Sequence, residues 1–452
     1  MDAYTRLVSG VLFPLQERLK GHATVSVRRR LERTQWWSSE RLERLQSERL
    51  QRLVRRAGRQ VPFYQDVFAQ SGVSPHDIRE PADLRRLPVL TKDAIRANVD
   101  RLKARDARGL VRLNTGGSGG DPLVFFVGKE RISHDVAAKW RATRWWGVDI
   151  GDPEIVAWGS PIELGAQDRI KKARDHVMRT RLLPAFEMSE ANLDEFLDAI
   201  ERMRPKMLFG YPSALSLIAR HAEKRGRSLR GAGCIVAFVT AERLYDSQKA
   251  QIERTYGCRV ANGYGGRDAG FVAHECPAGR LHITAEDTIV EVLDRQDRPV
   301  PSGEAGELVI THLATGDFPF IRYRTGDVGA LGHEACPCGR GLPVLQEVQG
   351  RTTDFVIGED GTVMHGLALI YVVRDIEGVQ NFKIVQHSIG YTEVLLQVAE
   401  GFPESRLSAI REGIQARIGQ SVTVEIRTVP RVEPEPSGKF RYVVSRVAPS
   451  AS

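Results

Sequence analysis

No stretch of the chain is apolar enough to cross a bilayer. Runs such as "VLF" at 11–13, broken by Pro14, fall far short of the ~20 residues a membrane helix needs. No charged start leads into an apolar stretch, so a secretory leader is not expected; the sequence reads as cytoplasmic, without membrane insertion. Internal repeats and low-complexity segments are missing as well. Cysteine is scarce, five in 452 residues, which excludes a disulfide framework. Four of the five lie between 258 and 338, a clustering that points to metal more than to oxidation. One further absence is local. The stretch "RLNTGGSGGDPLV" at 112–124 has the glycines and hydroxyls of a phosphate-holding loop but no lysine, and Asp121 stands where a Walker A loop would carry Gly-Lys-Ser/Thr. Either the loop is only a turn, or its positive charge comes from elsewhere in the chain.

The chain is 42% hydrophobic and 27% charged, enough to bury a large core divided over two or more domains. Its net charge is +8, and much of the excess is arginine in the first 60 residues, as in "RRRLERTQWWSSERLERLQSERLQRLVRR". A basic arm for nucleic acid or anionic lipid is one reading. An amphipathic helix is the better one: Leu42, Leu45, Leu50 and Leu53 recur at helical spacing, with Glu40, Glu43 and Glu48 among the arginines. No nucleic-acid module accompanies the arginines, so no nucleic-acid partner is expected. Thr91 is placed to cap a helix after Pro88. From about 110 to 330, short apolar runs ("DPLVFFV", "EIVAWGS", "KMLFGYP", "CIVAFVT", "GELVITHL") alternate with helical stretches such as "SALSLIARHAEKRG", the rhythm of an α/β domain. From about 352 the pattern becomes that of a small α+β domain: strand-like "DFVIGEDGTV", an apolar helix over 366–376, "NFKIVQHS" and "YTEVLLQVA", a helix carrying Leu407, Ile410, Ile414 and Ile418, then "VTVEIRTV". Two domains are expected, 1–350 with a helical arm over 1–60, and 351–452.

The ordered motifs "TGGSGGDP" (115–122), "TAE" (240–242), "YGGRD" (264–268), "IRYRTGD" (321–327), "GRTTD" (350–354) and "SGKF" (437–440) resemble the adenylate-forming enzymes. They are most similar to the phenylacetate-CoA ligase-like family, which includes capsular polysaccharide biosynthesis proteins. The resemblance runs from about residue 50, where "VPFY" and "LPVLTK" also fit, to the end. It implies a large multi-sheet α/β domain that binds AMP, followed by a smaller mobile α+β domain. It also implies ATP-dependent activation of a small carboxylic acid as acyl-AMP, an AMP-forming acid-thiol ligase chemistry with CoA as the co-substrate. Transfer to an amine, a hydroxyl or a carrier protein, and a non-catalytic nucleotide-binding relative, are the alternatives. The oligomeric state, a homodimer included, stays open.

By the same resemblance, Thr115, Gly116, Gly117, Ser118 and Gly119 would cradle the β- and γ-phosphates. Ala241 and Glu242 would line the nucleotide site, Tyr264 and Gly265 would face adenine, and Asp268 would hold Mg²⁺ through hard oxygen. Asp327 would accept both ribose hydroxyls, and Arg351 would sit near the ribose or α-phosphate. Residues 352–354 would be the hinge. The lysine missing from the glycine-rich loop would then be Lys439, carried in by closure of the carboxy-terminal domain. The sequence departs from the family at Gly119, Asp121 and Arg267, which stand where hydroxyl, basic and small residues are usual.

"ECPAGRLH" and "CPCGR" offer Cys276, His282, Cys336 and Cys338, a Cys₃His set suited to a structural Zn²⁺. His274 is an alternative fourth ligand and Cys258 a weaker one; reduced thiols without metal are the other reading. Trp145, Trp146, Phe209 and Tyr211 are aromatics either for the core or for a carboxylate pocket.

Overall fold

The computed structural model describes residues 2–115, 123–158, 169–185, 188, 190–294, 296–332, 334–350, 355–361, 363–374, 376–399, 401–432 and 442–447. A hairpin of β1 (Val111–Asn114) and β2 (Val124–Val127) flanks the glycine-rich loop. Behind it lies a mixed α/β sheet of eleven strands. Five of them, β3 (Glu154–Trp158), β4 (Thr180–Pro184), β5 (Met207–Gly210), β6 (Val236–Thr240) and β7 (Arg259–Gly266), pair in parallel in the order β4-β3-β5-β6-β7. Helices Arg169–Val177, Glu190–Met203, Pro212–Lys224 and Asp246–Tyr256 make the crossovers. Every residue of β5 and β6 is buried, because a parallel strand covered on both faces must be apolar throughout rather than alternating. The helix Asp246–Tyr256 ends at Gly257, whose φ of +68° closes the turn into β7 without the cost a side chain would incur.

Past β7 the pairing is antiparallel. Strands β8 (Gly270–Glu275), β9 (Leu281–Ile283), β10 (Thr288–Leu293), β11 (Gly306–His312), β12 (Tyr323–Leu331) and β13 (Val344–Gly350) continue the sheet in the order β7-β8-β9-β13-β12-β11-β10. The last of these in the chain, β13, therefore sits between β9 and β12 and joins the β10–β12 meander to the rest.

The amino-terminal helices pack onto this body. In Ser39–Gln60, Leu42, Leu50 and Leu53 are buried and Leu45 is half-buried, while Glu40, Glu43 and Glu48 face solvent, as the helical spacing predicts. Arg49 departs from the expected solvated arginine face: it is buried and pairs with Asp287 at 2.5 Å. The reason is a buried polar seam. Helix Lys129–Trp145 buries Arg131, His134 and Arg141. Arg141 pairs with Glu286 at 2.7 Å, which also accepts the Thr34 hydroxyl at 2.6 Å, and His134 meets Asp287 at 2.7 Å. Thr91 does cap Lys92–Ala97, accepting the Ala94 N–H at 3.1 Å. Among the described residues no helix is long and apolar enough to cross a membrane.

Beyond residue 354 the chain builds a second, smaller sheet system. A ribbon of β14 (Phe355–Ile357) and β15 (Val363–His365) precedes helix Leu367–Arg374. Strands β16 (Val379–Ser388), β17 (Tyr391–Val398), β18 (Thr423–Thr428) and β19 (Val443–Ser445) form a sheet in the order β18-β17-β16-β19, with helix Glu404–Ile418 between β17 and β18. Ile410, Ile414 and Ile418, one turn apart, pack with Leu369, Ile370, Phe382, Ile384 and Leu396 in a core of their own. An ion pair between Arg220 and Asp360 touches the two parts together.

Candidate active site

Ligands of parallel α/β sheets bind beyond the carboxyl ends of the strands, and several of the residues singled out in the sequence meet there. The register pairs Thr240 of β6 with Gly263 of β7, so Ala241, just past the end of β6, lies beside Tyr264 of β7. Ala241 has φ +69°, a left-handed conformation costly for a residue with a Cβ and common where a backbone is held for function. Glu242 accepts the Ser213 N–H at 3.2 Å, placing its carboxylate at the positive end of helix Pro212–Lys224. Just ahead of that helix, Tyr211 stacks on Trp158 with centroids 4.2 Å apart.

Tyr264 donates its hydroxyl to Asp327 Oδ2 at 3.0 Å and lies 3.4 Å from Thr325 Oγ1, which accepts the Asp327 N–H at 3.1 Å. Burial, and then the neighbouring Asp327 and Asp268, push the Tyr264 phenol well above its ordinary range, so it remains a donor. Gly265 must be glycine: a Cβ there would come 2.1 Å from the Gly270 carbonyl oxygen across the turn. Within that turn Asp268 accepts the Tyr323 hydroxyl at 2.5 Å and the Ala269 N–H at 3.0 Å. Arg267 donates to the Asn114 carbonyl at 3.3 Å, tying the turn to the strand that enters the glycine-rich loop. Thr115 closes the neck of that loop by exchanging two bonds with Leu123, both at 3.0 Å.

Three supporting residues escaped the sequence reading. Lys92 of "LPVLTK" donates to the Thr325 carbonyl at 3.3 Å, and Tyr323 of "IRYRTGD" is the partner of Asp268. Fully buried Arg131 donates to the carbonyls of Arg267 and Asp268 at 3.4 and 3.3 Å while pairing with Asp135 at 2.7 Å. Only the motif membership of Lys92 and Tyr323 could have flagged them; Arg131 carries no local signal. Gly116, Gly117, Ser118, Gly119, Asp121, Arg351, the 352–354 hinge and Lys439 lie outside the described residues.

The cysteine set converges. The ligand atoms of Cys276, His282, Cys336 and Cys338 all lie within 4.8 Å of one another, although Cys276 comes from the β8–β9 connection, His282 from β9 and the other two from the β12–β13 connection. Cys276 and Cys336 sulfurs are 3.6 Å apart, and Cys338 Sγ is 3.3 Å from His282 Nε2. His282 meets the Leu342 carbonyl through Nδ1 at 3.0 Å, which turns Nε2 toward the sulfurs as a ligating imidazole requires. Burial depresses the His282 pKa to about 4, keeping it neutral. The alternatives fall away. His274 stacks on Phe271 at 5.4 Å with neither ring nitrogen hydrogen-bonded, and Cys258 pairs with Cys234. Trp145 and Trp146 belong to this cluster's surroundings rather than to a carboxylate pocket. Trp145 packs edge-on against His282 at 5.9 Å, and Trp146 donates to the Glu275 carbonyl at 2.9 Å. Phe209 is buried in the core.

Residues 179–315, which include β4 to β11 and the Tyr264 turn, match the AMP-binding enzyme family, and residues 356–446 match the CapK C-terminal domain. The two matches place an AMP-binding region ahead of a CapK-type carboxy-terminal domain. The chain is 28% identical over 439 residues to the phenylacetate-coenzyme A ligase of Thermus thermophilus, covering 90% of this chain and 96% of the relative. It is 23% identical over 414 residues to Protein CapK of Staphylococcus aureus, covering 89% of each. A solved structure of 2-hydroxyisobutyryl-CoA ligase, in complex with 2-HIB-AMP and CoA, shares the fold with a TM-score of 0.67 at 22% identity, over 91% of both chains.

Proposed function

We propose that this chain joins a carboxylic acid to ATP as an acyl-AMP, releasing pyrophosphate, and passes the acyl group to the thiol of CoA. The observation that carries the proposal is the Tyr264–Asp327–Thr325 cluster beside left-handed Ala241 at the strand ends. One Asp327 oxygen takes the tyrosine hydroxyl. A carboxylate offers about four lone-pair sites, which suits it to accept ribose hydroxyls. Arg351 would lie near the ribose or α-phosphate, and the loop from Thr115 to Gly119 would hold the outer phosphates. Trp158 and Tyr211, stacked beside Glu242, would form an aromatic wall for the acid. Lys439, delivered by the carboxy-terminal domain, would bridge the carboxylate and the α-phosphate, gathering negative oxygens that otherwise repel.

Asp268 fits Mg²⁺ in donor chemistry. It is a hard carboxylate whose oxygens each accept one hydrogen bond, and Mg²⁺ commonly takes one or two carboxylates together with substrate phosphates. The ion would neutralise phosphate charge. The Cys₃His cluster fits Zn²⁺ with four protein ligands and no open position, a structural site joining the two loops on either side of β9 and β13.

A second reading keeps adenylation and changes the acceptor to an amine, hydroxyl or carrier protein. The test is carboxylate-dependent pyrophosphate exchange across aryl, fatty and hydroxy acids, followed by AMP release with and without CoA. Exchange with no acid would leave a nucleotide-binding relative without catalysis. Exchange with CoA-independent turnover would favour the second reading.

A further inference from the structure

The first helical segment, Ala3–Leu7 continuing through Val8–Leu12 into Phe13–Leu19, buries one side and exposes an apolar stripe on another. Its inner side is fixed to the body. Thr5, Val8, Phe13 and Glu17 are buried; Phe13 packs edge-on against Trp140 at 5.1 Å, and Thr5 bonds Asp152 at 2.9 Å. The outer side carries Leu7, Val11, Leu15 and Leu19, four residues apart and 47, 54, 54 and 80% exposed. Here the docked inner side prevents the stripe from turning inward, and a contiguous apolar patch of this kind marks an interaction surface.

Charge identifies what covers it. The first 60 residues hold fourteen arginines and lysines against six carboxylates, an excess equal to the +8 of the whole chain. Arg6 and Arg18 flank the stripe, exposed and without an ion pair among the described residues, and Arg29 and Arg33 are exposed on the following helix, Thr24–Thr34. Leucines bordered by arginine match the boundary between acyl chains and anionic headgroups. A second copy would set arginine against arginine, and nucleic acid would offer the leucines nothing. We propose that this helix docks the protein, lying flat, on an anionic lipid surface, with Leu7, Val11, Leu15 and Leu19 in the acyl boundary and Arg6 and Arg18 at the headgroups.

Flotation of the full chain with vesicles tests the proposal, using phosphatidylcholine alone and about three parts phosphatidylcholine to one of phosphatidylglycerol. Wild type should float with the anionic vesicles and not with the neutral ones, and added salt should weaken the association. Leu15→Asp with Leu19→Asp should reduce partitioning at least tenfold without changing the melting curve, since both side chains are exposed. Arg6→Glu with Arg18→Glu should reduce it as well. Wild type that stays with the buffer would overturn the proposal, as would aspartate variants that still float. Self-association in sedimentation equilibrium that the aspartate variant abolishes would make a second copy the occupant, and that too would overturn it.

Discussion

With one carboxylate oxygen taken by the Tyr264 hydroxyl, Asp327 brings a charged acceptor to the candidate nucleotide site. Hydrogen bonds to a charged group contribute roughly 1.5–3 kcal/mol, so Asp327→Ala should weaken ATP binding at least tenfold by calorimetry. An unchanged affinity would leave Asp327 only as the acceptor of the Tyr264 hydroxyl. His274 governs a different property. Burial holds its folded-state pKa at about 3, against an unfolded value near 6.5, so between those pH values the unfolded chain binds a proton that the folded chain does not. Stability from this group is therefore complete above pH 6.5 and falls by about 1.4 kcal/mol per unit as pH drops toward 3. Buried His312, with a pKa of about 4, adds a second contribution of the same sign. His274→Leu should remove one proton's share of the slope, seen in guanidinium midpoints between pH 6.5 and 4. Asp327 was legible because "RYRTGD" is a recognisable string. Its bond to Tyr264, 63 residues earlier in the chain, was not, because hydrogen-bond partners across a sheet are set by register rather than by any local pattern.

At the scale of elements, runs such as "CIVAFVT" were readable because double-sided burial leaves an unbroken apolar string, as in β6. Helix Lys129–Trp145 shows the opposite case. Its Arg131, His134 and Arg141 are buried, Arg131 beside Asp135 of the same helix and the other two against Asp287 and Glu286 from a distant part of the chain. The cysteine cluster was legible from a Cys-x-Cys knuckle and a nearby Cys/His pair, since ligand spacing is a local signal even when the loops are 60 residues apart. Purified protein should contain about one zinc per chain, measured by elemental analysis without chelator. Changing Cys336 and Cys338 to Ser should lower the melting temperature far more than it alters the chemistry of the fraction that remains folded. Metal-free protein with unaltered melting of the double variant would leave these as ordinary thiols.

For the molecule as a whole, the proposed chemistry depends on a lysine more than 300 residues from the loop it would complete. Lys439→Ala should lower acyl-AMP formation by about 10²–10³ while leaving the melting curve unchanged, because such a residue acts on the transition state and not on the fold. Full adenylation in the variant would return attention to the lysine-free loop. The change of character near residue 352 was visible in sequence because the carboxy-terminal strands and helices close a core of their own. The single eleven-strand sheet was not visible, since nothing local tells β13 to enter between β9 and β12. That insertion bears on biosynthesis. Until Val344–Gly350 leaves the ribosome, the nascent chain carries two unfinished half-sheets, each with an open edge able to pair with another chain. The Cys₃His cluster gathers the loops on both sides of this seam. Cells starved of zinc, or making a chain cut before Val344, should therefore accumulate inclusion bodies rather than soluble, weakened protein.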